Sequence, residues 1–434
     1  MSGGGPGHPV VVAPLESRFL TLPDGVRLVE PERRSPGVTF PNGFLAAGIV
    51  AGLKESGRPD VGVIAVAPEW RAGAVSAAVF TTNAFAAAPV VIDRTECELV
   101  RLVGIAINSA NANACTGEAG LATARAMRKS CAEALRVESA RVAVASTGII
   151  GVQLDAALVA GAVGKAAAAV RPGGGEDFSR SIMTTDRFPK MCAYEVDTRG
   201  GVVRLGVCAK GAGMISPAMA TMLCVVTSDA VLTAEEIRSL LVRSVESSFN
   251  RVTVDGEQST NDSVFFLSSG ASGIRPAGDD LERLGQALDA MLLRTALMMV
   301  ADGEGATKIM RLQVRGAETD GGGTSVARAI ADSPLVKTAM HGGDPNWGRI
   351  ISAAGAAMAG CSLPKARLEL CAVKVVEDGA ACPVSEADRA KLAGAMKEPE
   401  IDICLDLGCG TAASEVFFAD MGHDYITINA EYHS

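Results

Sequence analysis

The chain has 434 residues, 48% of them hydrophobic but only 4% aromatic, so its core must be filled by Ala, Val, Leu and Ile. Forty Lys and Arg against forty-nine Asp and Glu give a net charge of −9 with no basic cluster, which excludes the electrostatic footprint of a nucleic-acid-binding protein. Eleven cysteines without a CxxC pair, and only four histidines, argue for reduced, buried thiols and against a structural metal site.

The first nine residues, MSGGGPGHP, lack the basic and apolar regions of a signal peptide and read as a disordered tail, so a cytoplasmic protein is expected. Short runs rich in β-branched residues predict strands at 61–66, 90–93, 105–108 and 142–146, with a one-face apolar helix over 118–135 between the last two. The two most apolar stretches are 156–170 and 214–226. They are Ala/Gly-rich or broken by Lys165, Ser216, Pro217 and Thr221, fall short of the ~20 apolar residues of a membrane span, and read as a buried helix and a buried strand. Further strands are predicted at 202–207 and 222–227. Thr233 with Glu236 forms a capping box that opens a helix over 233–249, and a second long helix covers 281–300. Gly173–Gly175 and Gly321–Gly323 read as surface turns, and two last strands are predicted at 374–376 and 426–428. Strands and helices mixed throughout, without a long linker, predict a layered α/β or α+β protein.

The most unusual stretch is KGAGMISPAMATML, residues 210–223. Glycines permit a tight loop, Pro217 interrupts any helix, and Ala220-Thr221 stands at the head of an apolar strand. Thr221 can be a strand-edge hydrogen-bonding residue, part of a weak phosphate loop lacking the GxxxxGK[ST] order, or the hydroxyl of a self-cleaving Ala220-Thr221 bond. In the last case an N-to-O acyl shift and ester hydrolysis leave Thr221 with a free α-amine. That amine, of reference pKa about 7.7 to 8.0, can serve as base toward its own hydroxyl without a histidine. ASTGIIG (145–151) offers Thr147 and the Gly148 amide as oxyanion donors, or else a plain strand-to-loop turn. NSANANACTG (108–117) reads as a cluster of Asx turns or a ligand loop, and a Cys–His pair using Cys115 or Cys192 is a remoter option.

FTTN (80–83), NSANANACTG, STG (146–148), MTTDRFPK (183–190), KGAGMISPAMATML, VTVDGEQSTND (252–262), VADGEGATK (300–308), SPLVKTAMHGGDPNWGRI (333–350) and INAEY (428–432) stand in one order. On these motifs, from about Val38 to the last residue, the chain resembles the ornithine acetyltransferase, or glutamate N-acetyltransferase, family. The resemblance implies an αββα sandwich shared with self-cleaving aminopeptidases. It also implies a cut between residues 1–220 and 221–434, and an assembly of two copies of each piece. The activity implied is acetyl transfer from N2-acetylornithine to glutamate through an acetyl ester on Thr221. No metal or bound cofactor is implied, and acetyl-CoA stays open as a co-substrate. Thr147 and Gly148 match the oxyanion hole, and Thr184, Lys210, Thr221, Glu304, Asn429 and Ser434 match substrate-binding positions. Many relatives end in Thr where this chain has Ser434. An amidohydrolase or aminopeptidase on the same scaffold is the alternative, since an acetyl ester facing water is hydrolysed.

Overall fold

The computed structural model describes residues 16–30, 37–216 and 222–431. The first part of the chain supplies β1 (Val26–Leu28), β2 (Phe44–Ile49), β3 (Val61–Val66), β4 (Val75–Phe80), α1 (Ala88–Glu96), β5 (Gly104–Asn108), α2 (Gly117–Leu135), β6 (Val142–Ser146), α3 (Ala156–Ala168), α4 (Gly175–Ile182), β7 (Lys190–Thr198) and β8 (Gly201–Lys210). After residue 221 come β9 (Leu223–Ser228), α5 (Ala234–Glu246), β10 (Val252–Thr253), β11 (Ser263–Ser268) and α6 (Asp279–Ala301). The remainder is β12 (Ile309–Ala317), α7 (Asp320–Ala331), α8 (Pro334–His341), α9 (Trp347–Ala357), β13 (Arg367–Leu370), β14 (Val373–Glu377), β15 (Ala380–Ala381), α10 (Glu386–Ala395), β16 (Glu400–Asp406), β17 (Ala412–Ala419) and α11 (His423–Glu431).

Two sheets stack face to face, one of six strands in the order β1-β7-β8-β9-β11-β4 and one of four in the order β2-β3-β5-β6. Between them lies a dry layer that includes Phe44, Ile64, Ile105, Cys208, Leu223, Val225 and Phe265. The alternate residues of β9, Cys224 and Val226, point the other way into a core shared with Ile237 and Leu241 of α5 and Leu288 and Met291 of α6. On the opposite outer face α2 and α3 cover the smaller sheet, with Met127, Cys131, Val159 and Val163 against Val61, Val63 and Val144. The result is the αββα sandwich, and it explains why these strands read as unbroken apolar runs: both faces are buried. α6 is long and apolar enough to cross a membrane, yet most of it is buried in this core, with Arg294 bonded to the Tyr194 hydroxyl at 2.9 Å.

A second lobe carries a seven-stranded sheet, β10-β17-β12-β16-β13-β14-β15. Met310, Leu312, Ile401 and Ile403 pack on one face against Val326, Ile330, Met340 and Leu392 of the lobe's helices. Val254, at the end of β10, and Ala419, at the end of β17, both accept from the buried Lys337 ammonium of α8 at 2.7 Å.

Most predicted elements are present, several within a residue of their bounds, and the Thr233–Glu236 capping box is made in both directions. Three expectations need correction. Residues 90–93 lie in α1, where Pro89 occupies the first turn and Val90 and Ile92 are buried, so packing overrides strand propensity. Residues 426–428 lie in α11, where Thr427 Oγ1 donates to His423 O and Asn429 Nδ2 to Tyr425 O one turn back, so helical closure overrides strand propensity. The glycine tracts are helical in part: Gly175 opens α4, and Gly321–Gly323 form the first turn of α7 under the Thr319 cap.

Candidate active site

β5 and β6 run parallel, so their C-terminal ends emerge side by side, and the NSANANACTG and STG loops start there. The first loop is the predicted Asx cluster. Asn113 N donates to Asn111 Oδ1 at 2.8 Å, Asn108 Nδ2 to Asn111 O at 2.9 Å, and Ala110, Asn113 and Cys115 take positive φ. The second loop is laid onto it by Thr147 N to Asn108 O and Ile149 N to Ala110 O, at 3.0 and 3.1 Å. Between those bonds Gly148 has φ of +132°, and a Cβ there would stand 2.2 Å from the Ala110 carbonyl carbon, so only glycine fits.

On the six-stranded sheet, β8 and β9 are antiparallel neighbours with Lys210 opposite Leu223. Residues 211–222 connect them, so Leu223, two positions past Thr221, pairs with Lys210 at the C-terminal end of β8. Lys210 is buried, and its Nζ donates to Thr147 Oγ1 at 3.2 Å across the gap between the two sheets. Burial pushes its ammonium below the ordinary lysine range, opposed by the charges of Asp186, Asp262 and Glu304.

A cleft of about 190 Å³ opens at this end of the sandwich. It is lined by Thr147, Gly148, Thr184, Lys210, Glu304 and Asn429, with Ala112, Ile150, Met214 and the Ser259–Asn261 segment. Asn429 Nδ2 donates to Glu304 Oε2 at 2.8 Å, and the Glu304 amide donates to Ala212 O at 3.0 Å. A methyl group on Gly213 would stand 2.5 Å from the Glu304 carboxyl carbon, so that glycine leaves the carboxylate its place. Six predicted site residues thus converge from five stretches of chain. Ala220, Thr221 and Ser434 lie outside the described residues. Cys192 is buried in the core with its thiol pushed up to about 12 by burial, and neither it nor Cys115 lines the cleft.

Other groups of this region were not singled out from the sequence. Asn261 holds the two sheet-end loops together, its Nδ2 donating to Ala112 O at 2.6 Å and Ser146 O at 2.8 Å. The FTTN motif braces the same stretch from outside, Thr81 Oγ1 donating to Ser259 O and Asn83 Nδ2 to Gln258 O. Asp255 accepts from Met214 N and Ile215 N at 2.6 and 2.9 Å, fixing Met214 at φ +56°. Burial raises that carboxyl to about 6, against the pull of those amides. Asp262 is buried beside the Met222 amide and near Lys210, and desolvation holds it well above the usual carboxylate range. Acidic residues inside motifs otherwise made of small residues were the available signal.

A search against protein families matches residues 45–434 to the model described as the ArgJ family. The chain belongs to the ArgJ family. It is an acyltransferase of arginine biosynthesis. The arginine biosynthesis bifunctional protein ArgJ of Nitratidesulfovibrio vulgaris is 43% identical over 91% of this chain and 99% of its own length. The ArgJ protein of Symbiobacterium thermophilum is 41% identical over 91% and 98%. A crystal structure of ornithine acetyltransferase complexed with ornithine from Mycobacterium tuberculosis is 35% identical, covering 45% of this chain and 99% of that chain with a TM-score of 0.40.

Proposed function

We propose that this ArgJ-family chain cuts itself at Ala220-Thr221 and that Thr221 then carries acetyl from N2-acetylornithine to glutamate. The observation that carries the reading is the convergence of Thr147, Gly148, Thr184, Lys210, Glu304 and Asn429 on one cleft, at the end of β8 that leads toward residue 221. In the cut, the Thr221 hydroxyl adds to the Ala220 carbonyl, the peptide C–N bond breaks as the ester forms, and water releases the Ala220 carboxylate and the Thr221 hydroxyl. In transfer, the new α-amine takes the hydroxyl proton as oxygen attacks the acetyl carbonyl. Thr147 and Gly148 stabilise the oxyanion. The α-nitrogen of ornithine leaves with the proton, and the α-amine of glutamate then attacks the acetyl ester and regenerates the hydroxyl. Lys210 meets the substrate carboxylate and Glu304 the side-chain ammonium of ornithine, a charge-assisted contact. Thr184, Asn429 and Ser434 complete the binding set. The enzyme works in the cytoplasm as two copies of each piece, without metal or bound cofactor, and acetyl-CoA is a further donor to be assayed.

The test is the intact mass of the purified protein before and after incubation with N2-acetylornithine, followed by glutamate. The expected result is two pieces, 1–220 and 221–434, the second gaining one acetyl group that glutamate removes as N-acetylglutamate. Release as free acetate would favour the amidohydrolase alternative, and a single unacetylated chain of 434 residues would overturn the reading.

A further inference from the structure

Three of the chain stretches that line the cleft meet in a buried ion network whose members, Asp186 and Lys190 of MTTDRFPK and Asp302 of VADGEGATK, have no part in the mechanism above. Asp186 Oδ1 accepts from Gly211 N at 2.8 Å and from Lys190 Nζ at 2.6 Å, while its Oδ2 accepts from Thr184 N at 2.8 Å. Lys190 reaches on to Asp302 Oδ2 at 2.6 Å, and Asp302 also takes Arg187 Nε at 2.8 Å. The side chains of Asp186, Lys190 and Asp302 are all fully buried. One carboxylate therefore ties the Thr184 loop to the peptide after Lys210, and the lysine it pairs with ties both to the turn that carries Glu304, two residues past Asp302.

Stability does not explain such an arrangement. Desolvating three charges opposes folding, and apolar side chains of similar size commonly fill such a place as well. What apolar groups cannot do is fix two backbone amides and set a negative charge beside a buried lysine. We propose that Asp186 is a positioning residue for acetyl transfer, holding Thr184 and the Lys210–Gly211 peptide in register with Glu304 and supplying the counter-charge for the Lys210 ammonium. The titratable groups facing Lys210 are Asp186, Lys190, Asp262 and Glu304, with Lys54 also near. Asp186, which takes the amide of Gly211 next to Lys210, favours the protonated ammonium, while Lys190 repels it.

The inference rests on the acetyl-transfer reading, so the first arm is the wild type: if it forms no acetyl-enzyme from N2-acetylornithine, that reading fails and not this one. With wild type active, the KM for N2-acetylornithine in the acetylation half-reaction is followed from pH 7 to 10 for the full-length, self-processed enzyme. KM should rise at high pH as Lys210 loses its proton, and in Lys210→Arg that rise should vanish. In Asp186→Asn the rise should begin at lower pH, and in Asp186→Glu it should return toward the wild-type position. A purely structural role would change melting temperature or kcat and leave the KM limb in place, and that result overturns the proposal. If Asp186→Asn fails to fold because Lys190 is stranded, the double variant Asp186→Asn with Lys190→Met removes both charges. Its limb should still lie below wild type, and a limb at the wild-type position would mean that Asp186 only neutralises Lys190.

Discussion

The cleft at the sandwich end holds about 190 Å³, whereas two grooves on the open face of the lobe sheet hold about 560 and 520 Å³. These two grooves follow from strand alternation. Leu312, Val314, Ile401 and Ile403 are buried under the lobe's helices, so Arg311, Gln313, Arg315, Asp402 and Cys404 face outward and line the grooves. Their charges are satisfied across strands, as in Arg311 Nε to Asp402 Oδ1 at 2.6 Å, and they remain partly solvated. In the cleft, a buried lysine, a glycine at φ +132° and a carboxylate held against a glycine converge on one small space. The two grooves are spacious because a one-sided sheet meets solvent there, whereas the cleft is small and gathers polar groups at a cost to the fold, the pattern of a functional-site candidate.

That contrast can be broken by substitution. Gly148→Ala should do most damage, because the added carbon meets the Ala110 backbone and the φ is strained by about 1–3 kcal/mol. Transfer should be lost and the melting temperature lowered, and a normally active variant would show that the STG loop does not shape the site. Thr147→Ala should leave the fold intact and reduce kcat by ~100- to ~1000-fold, as for one lost oxyanion donor. Stopped-flow acetylation reads this, and an unchanged rate would remove Thr147 from the chemistry. Glu304→Gln should raise KM for N2-acetylornithine by about 10- to 100-fold, the worth of one hydrogen bond to a charged group, with self-cleavage intact. If cleavage fails instead, the carboxylate holds up the loop. Arg315→Ala, in the lobe grooves, should change transfer less than about twofold and stability by no more than about 0.5 kcal/mol. A large loss there would move function into the lobe.

Much of the fold was legible wherever local pattern and tertiary packing agree. The run 61–66 is a strand with both faces buried, and Thr233 announces α5 through a cap four residues wide. The pattern failed at 90–93 and 426–428, where three β-branched residues in a row cannot report whether a sheet edge lies within reach. In the site, residues in the hallmark motifs could be named by resemblance, and six of them, Thr147, Gly148, Thr184, Lys210, Glu304 and Asn429, line one cleft, while Ala220, Thr221 and Ser434 lie outside the described residues. Asn261 escaped because its partners are remote, Ala112 standing 149 positions away, and Asp186 because its two nearby partners, Thr184 and Lys190, gain meaning only once Gly211 and, through Lys190, Asp302 are brought beside them. The longest motif, 333–350, lies largely in α8 and α9 and outside the cleft. Its Lys337 joins the ends of β10 and β17.

The strand order of the larger sheet has a mechanical consequence. β9 and β11, which follow residue 221, are flanked by β8 on one side and β4 on the other, both of which precede it. One seam runs from Leu205 opposite Ser228 to Lys210 opposite Leu223, the other from Phe80 opposite Ser263 to Val75 opposite Ser268. A cut at Ala220-Thr221 would open the thread while leaving each piece laced through the other. Neither could depart without unzipping two ladders and baring the dry layer between the sheets. Halves produced apart would each expose raw strand edges that invite aggregation, so the proposed scission would have to follow folding.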